Sequence, residues 1–261
     1  MTRGLAIIMH AVRMLIHAPA TTLQVILPGM ALVLASTLGA YFLIPDTLIA
    51  MVSSDPNDIA QIPPSHVLLL LVLGLAALFG YALMAILWHR HVLLNGPDRD
   101  QDISPPGGII AAYLWRAIIV AFVQLLAALP ILFSLAAVAA VLGAGSEQGG
   151  PSIVFNLLAG SAFVWVALRI SITLPAAAMG KPMSIRQSWT VSAQLSGAAL
   201  AIAALLSLFN IATSVIIFGL IPEPGSFALV LETCVFLLEG LLFVSVLTTL
   251  YGHLVEGRPL R

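Results

Sequence analysis

Six apolar runs, each close to the ~20 residues a helix needs to cross a bilayer's hydrocarbon, leave this chain few ways to fold. They lie at about residues 22–44, 67–88, 117–141, 153–174, 195–220 and 227–251. Inside a bilayer no water satisfies backbone amides and carbonyls, so a spanning segment is a helix or part of a closed barrel. Here the runs are continuous and do not alternate in ten-residue segments, which selects helices over a barrel. Charged residues make up 8% of the sequence, against about 25% in soluble domains. The expected fold is therefore all-α: one polytopic membrane domain over 1–261, with six transmembrane helices arranged as three antiparallel hairpins.

The charges set the threading. All ten Lys and Arg residues fall in segments that can share one side: Arg3, Arg13, Arg90, Arg99, Arg116, Arg169, Lys181, Arg186, Arg258 and Arg261. The intervening loops carry only acids, namely Asp46, Asp55, Asp58, Glu147 and Glu223. By the positive-inside rule the basic side is cytoplasmic, and an even number of spans puts both termini there. No basic cluster is dense enough for nucleic acid.

Ala18-Pro19-Ala20 looks like a signal-peptidase site, yet His10 and Arg13 occupy the place of an apolar core, so this stretch reads as retained. At 100° per residue, Arg3, His10, Arg13 and His17 share one face, and Leu5, Ile8, Val12, Leu15 and Ile16 lie opposite. Residues 1–20 are thus expected to form an amphipathic helix in the inner interface. The block 109–142 is too long for one straight span. Its start, through Arg116, is expected to be a second in-plane helix anchored by Tyr113 and Trp115, with a kink at Pro130 further on. Ser184 with Gln187 three residues later predicts a capping box and a helix start. Gly96-Pro97, Gly180-Lys181-Pro182 and Gly257-Arg258-Pro259 follow alternate spans. An internal repeat and the shared demands of inner loops explain that pattern equally well.

Glu239 is the most unusual residue, about thirteen positions into the last run and so near the midplane. A carboxylate there costs several kcal/mol on insertion scales (~2.5–3.5 at the centre), so it must face the bundle or stay neutral. Glu232 lies seven residues earlier on the same face. Asn210 and Gln124 lie near the depth of Glu239, and Asn156 near that of Glu232. Arg169 reaches Glu239 only by extending inward. One reading is a proton or cation site. The other is interhelical glue, worth about 0.6 kcal/mol per bond.

The histidines 66, 89, 91 and 253 sit at opposite ends of spans or on different helix faces, so they read as interface residues and no metal site is expected. The lone Cys234 offers neither a disulfide nor a thiolate site. No nucleophile-elbow, zinc or phosphate-loop motif occurs, so no cofactor and no catalysis are expected. Small residues at Ala31, Ala35 and Gly39, and at Gly197, Ala201 and Ala204, are candidate helix-packing stripes. Arg3, Arg13, Arg116 and Arg186 are placed to contact anionic lipid headgroups.

Three inner-end stretches carry a family resemblance: Trp88-His89-Arg90 through Gly96, Arg169-Ile170-Ser171-Ile172-Thr173-Leu174-Pro175 through Gly180, and Tyr251-Gly252-His253 through Gly257-Arg258-Pro259. They resemble a loosely defined bacterial group of six-span proteins that includes the membrane domain found beside glycerophosphodiester phosphodiesterases. These stretches cover a small part of the chain. The resemblance implies six spans and a bacterial inner membrane. It carries over no catalytic residue, because the acids and histidines of the soluble phosphodiesterase domain have no counterpart here. The expected role is a non-enzymatic accessory or scaffolding module contacting lipids, a second copy of itself or a partner membrane protein. The alternatives are the permease subunit of an ABC-type exporter, with a coupling segment in 89–108, or a small proton-coupled transporter using Glu239.

Overall fold

Without water to bond inside a bilayer, a backbone must bond to itself, and among the described residues every regular element is helical. The computed structural model describes residues 3–53, 59–94, 103–141, 150–220 and 226–260. In order these form α1 (Arg3–His17), α2 (Pro19–Leu43), α3 (Pro45–Ser53), α4 (Pro64–Leu94), α5 (Gly107–Val141) and α6 (Gly150–Ile170). Then come α7 (Thr173–Ala178), α8 (Ile185–Ser192), a 3-10 turn (Ala193–Leu195), α9 (Ser196–Leu220) and α10 (Ser226–Leu254). Among the described residues, six stretches are long and apolar enough to cross a membrane. The chain is an all-α, multi-pass membrane protein.

Burial runs opposite to that of a soluble protein. On α4, Leu68, Leu71, Leu75 and Leu78 are all exposed, which suits a surface facing acyl chains. The buried side chains gather toward one end of the bundle. Trp88, Leu93, Leu168, Ile172, Leu247 and Tyr251 are almost fully enclosed there. Both chain ends meet at this same end, because Ile7 and Ala11 of α1 pack in one cluster with Val246, Leu250 and Tyr251 of α10.

The closest helix pair is α2 with α4. Their backbones touch where Gly29 faces Gly80 and Met84, leaving no room for a Cβ at Gly29. The expected stripe is displaced: Ala31 and Ala35 are exposed, whereas Gly29, Val33 and Ser36 are buried. Gly197 likewise has nothing near it, and Ala201 instead meets Gly4 of α1. α2 and α4 are sequence neighbours and pack extensively, but the contacts do not follow the three-hairpin scheme throughout. α6 packs far more extensively on α9 than α9 does on its sequence neighbour α10.

Two expected in-plane helices differ from expectation. The apolar half of α1 divides in two. Gly4, Ile7 and Ala11 are buried against α9 and α10, while Leu5, Met9 and Ile16 remain exposed. A helix with small residues on one edge docks on protein and keeps only its other edge for lipid. The second in-plane helix is absent as a separate element, since α5 runs unbroken through Arg116 for 35 residues, Pro130 included. No breaker interrupts residues 109–129, so propagation continues; at about 1.5 Å per residue the helix is roughly 52 Å long and outreaches the hydrocarbon. Tyr113 is buried rather than at an interface, and Trp115 is exposed.

Two turns near the chain's basic residues reverse through a glycine, and a third segment starts with a side-chain cap. Ser184 accepts from the Gln187 amide at 3.2 Å and Gln187 Oε1 accepts from the Ser184 amide at 2.8 Å, the expected capping box. Gly180 and Gly257 both take positive φ, 69° and 68°. Each is followed by a residue whose amide bonds back across the helix end, Lys181 to Ala176 and Arg258 to Gly252, both at 2.9 Å. The Gly180 turn is a Schellman cap and the Gly257 turn a one-residue-wider variant; both need the left-handed conformation that glycine adopts most cheaply. Gly96-Pro97 lies outside the described residues.

Candidate functional site

Near the middle of α10, Glu239 faces α9. Two α9 residues three apart, and so on one helix face, meet its carboxyl. Asn210 Nδ2 donates to Oε2 at 2.8 Å, and Thr213 Oγ1 lies 2.8 Å from Oε1. Thr213 Oγ1 is also 3.0 Å from the Phe209 carbonyl and 2.9 Å from that of Asn210. A threonine hydroxyl has one proton. If it goes to a backbone carbonyl, the oxygen accepts and a protonated Glu239 donates. If it goes to Glu239, the carboxylate accepts from both partners. The cluster holds either form without moving an atom.

Beside this carboxyl lies a cavity of about 670 Å³ between α6, α9 and α10, with Tyr81 of α4 at one wall. Asn156, Ser207, Asn210 and Ser214 line it together with Glu239, and the described lining residues include no Lys, Arg or His. The Ser207 hydroxyl is buried without a hydrogen-bond partner, close against Gly160, where a Cβ would lie 3.1 Å from Oγ. Tyr81 approaches so closely because position 240 is glycine; its ring lies where a Cβ would be. Phe209, Val215 and Phe236, also in the lining, are exposed on the bundle's outer surface. The cavity thus has a polar wall around Glu239, whose Asn156 and Asn210 are exposed, and an apolar rim on the face the bilayer would cover.

The other nominated residues lie elsewhere. Gln124 donates to the Phe163 carbonyl of α6 at 2.8 Å, and its Oε1 is buried without a partner. Glu232 is exposed on α10 and does not line the cavity, whereas Asn156 does. Arg169 stays at the end of α6. It donates to Ser192 Oγ at 3.2 Å and to the Trp189 carbonyl at 2.7 Å, and its guanidinium sits 3.7 Å from the Trp189 ring centroid. Such a fork-and-stack arrangement satisfies an arginine locally, so it has no call on Glu239. Sequence depth missed Thr213, Ser207, Ser214 and Tyr81. Thr213 alone left a signal, one helical turn beyond Asn210.

The basic end of the bundle is largely occupied in holding the fold. Arg90 donates to the carbonyls of Ile103 and Ala178 at 2.8 and 3.2 Å. Arg258 donates to those of Val92 and Leu93 at 3.3 and 2.7 Å. Apart from the bond to Ile103, which precedes α5, these contacts cap helix C-termini, where unpaired carbonyls carry the negative end of the dipole. Arg116 belongs with them: it donates to the Met183 carbonyl at 2.7 Å and staples α5 to the turn before α8. Of the four arginines expected at headgroups, Arg3, Arg13 and Arg186 are exposed. His89, expected at an interface, is fully buried and bonded through Nδ1 to Thr248 Oγ1 at 2.8 Å. Among the described residues no group of three or more His, Cys, Asp or Glu is placed to hold a metal ion. No family model, curated protein or solved structure matches this chain.

Proposed function

We propose that this chain is a non-enzymatic accessory module of a bacterial inner membrane, with cytoplasmic termini, that binds an amphiphile of the bilayer beside Glu239. One observation carries the reading: a cavity of about 670 Å³ with a polar wall at Glu239 and an apolar rim on the lipid-facing surface. That volume falls within the ~300–1,000 Å³ typical of small-molecule sites. The carboxyl, two asparagines and two serines favour a head that donates hydrogen bonds, such as an amine or hydroxyl. The phenylalanines at the rim favour its chain. No histidine or lysine stands in the described lining to activate Ser207 or Ser214, which supports a binding role over a hydrolytic one. The arginines at the bundle end shared by both termini support the cytoplasmic orientation. The resemblance to the phosphodiesterase-associated membrane domain agrees with a lipid setting.

Photocrosslinking tests this reading on the full chain in nanodiscs. A phosphatidylethanolamine with a diazirine acyl chain, whose head carries N–H donors, is expected to label α9 and α10 more than the matching phosphatidylcholine. Glu239→Leu is expected to remove that preference. Equal labelling by the two lipids, or labelling indifferent to Glu239, sinks the proposal.

The Glu239–Thr213 pair, able to hold a carboxyl in either form, favours a small proton-coupled transporter as the second reading. Amphiphile-driven proton uptake in dye-loaded proteoliposomes, lost in Glu239→Gln, separates transport from binding alone. The exporter alternative turns on the segment 89–108, of which 95–102 lies outside the described residues.

A further inference from the structure

A second cavity, of about 780 Å³, opens at the opposite level of the bundle, where α1, the start of α2 and the end of α4 converge. Its lining is one-sided in charge. His10, Arg13 and His17 come from α1 and His91 from α4, and no acid is among the described lining residues. Arg13 and His17 are exposed, so their donor groups are within reach of a ligand.

Two further donors point the same way. Ala18 and Thr22 line the cavity, and between them α2 begins. Ala18 is its N-cap and supplies no side-chain bond, and Thr22 is the first residue whose amide is bonded, to the Ala18 carbonyl at 2.9 Å. The amides of Ala20 and Thr21 therefore have no acceptor within the helix, at the positive end of its dipole. Trp88 also lines the cavity and, at 1% exposed, closes its inner side.

The geometry points to a phosphate-binding site between α1, α2 and α4, with Arg13 as its principal cation, His17 beside it and the α2 N-terminus as a neutral donor. A tetrahedral, multiply accepting anion suits donors arriving from three helices, and an uncapped helix start is a ready anion site. Leu23 and Leu27, exposed on α2 just beyond the cavity, offer an apolar surface on which the chains of a phospholipid can lie. The phosphate belongs either to an anionic lipid head or to a soluble phosphate. This site is remote from Glu239 and does not rest on the reading of that cavity.

The test uses the full chain purified in detergent and returned to phosphatidylcholine vesicles with or without phosphatidylglycerol. Lipid retained by the protein is measured by native mass spectrometry. Enrichment of phosphatidylglycerol over phosphatidylcholine is expected, falling about tenfold in Arg13→Gln for loss of a charge-assisted phosphate bond. The same fall is expected in smaller degree in His17→Gln, which guards against misfolding of the first variant. Lys181→Gln, an exposed cation away from the cavity, is expected to retain lipid within about twofold of the parent, since exposed charges are well screened. Inorganic phosphate is the second arm. Displacement of phosphatidylglycerol by phosphate, or saturable binding of phosphate alone that Arg13→Gln removes, supports the site and identifies the source. Retention unchanged in both Arg13→Gln and His17→Gln, an equal loss in Lys181→Gln, or no binding of either probe overturns it.

Discussion

Adding one methyl group at Gly29 tests how α2 and α4 are held. A Cβ there would stand 2.6 Å from the Met84 amide nitrogen and 2.7 Å from the Met84 Cβ, and would meet the Gly80 carbonyl oxygen more closely still. Backbone atoms cannot swing aside as a side-chain tip can. From 2.6 Å to the 3.4 Å at which ordinary contact begins, the helices must part by about 0.8 Å, along the most extensive helix pair in the protein. Overpacking of this kind costs about 1–3 kcal/mol. Against it, alanine stabilises a helix relative to glycine by about 0.5–1 kcal/mol. Gly74→Ala isolates that second effect, because nothing lies within 4 Å of a Cβ at Gly74. In the difference between the two variants the propensity term cancels. Gly29→Ala is therefore expected to be less stable than Gly74→Ala by about 1–3 kcal/mol. Reversible unfolding of the full chain in bicelles titrated with dodecyl sulfate, followed by circular dichroism, measures it. Equal stability of the two variants refutes the close crossing.

Two further outcomes follow from single contacts. Gly240→Ala is expected to push the Tyr81 ring away from α10 and shrink the Glu239 cavity. Tyr81→Leu should relieve the crowding, giving a coupling of about 1 kcal/mol or more in a double-mutant cycle, within the range for residues in contact; additive effects would argue against the contact. Arg169→Lys retains the charge but cannot span Ser192 and the Trp189 carbonyl while stacking on Trp189. A loss of about 1–3 kcal/mol in the same unfolding assay is expected, and no loss would mean the guanidinium fork is dispensable.

Depth was legible in the sequence and direction was not. Counting residues from the ends of apolar runs put Asn210 at the level of Glu239, and the two are bonded. The same count put Gln124 at that level too, yet Gln124 turns to α6 and bonds to a carbonyl. Arg169 was nominated as able to reach Glu239 by extending inward, but its donors go to Ser192 and its guanidinium stacks on Trp189. The small-residue stripes held only at single positions, such as Ala201 against Gly4 of α1. Ala31 and Ala35 have the right spacing, but Gly29 carries the crossing. In α5, counting also overestimated the need for a break, since a helix longer than the hydrocarbon simply extends beyond it.

What the chain determines by itself is the number of apolar spans, their order, the grouping of cations at one end, and the local signals at Ser184, Gly180 and Gly257. These depend on transfer of apolar length into hydrocarbon and on bonds within one turn, both properties of neighbouring residues. Only the tertiary structure decided that α6 seeks α9, that α1 docks on its small edge, and that most structurally placed arginines cap carbonyls. It alone opened a cavity beside Glu239 and another beside Arg13. Lipid tails are as apolar as leucine, so hydrophobicity does not tell a membrane helix which face to turn toward its neighbours. That choice is made by close contacts such as Gly29 with Gly80 and by the few polar groups that need partners. Both exist only once the helices have met.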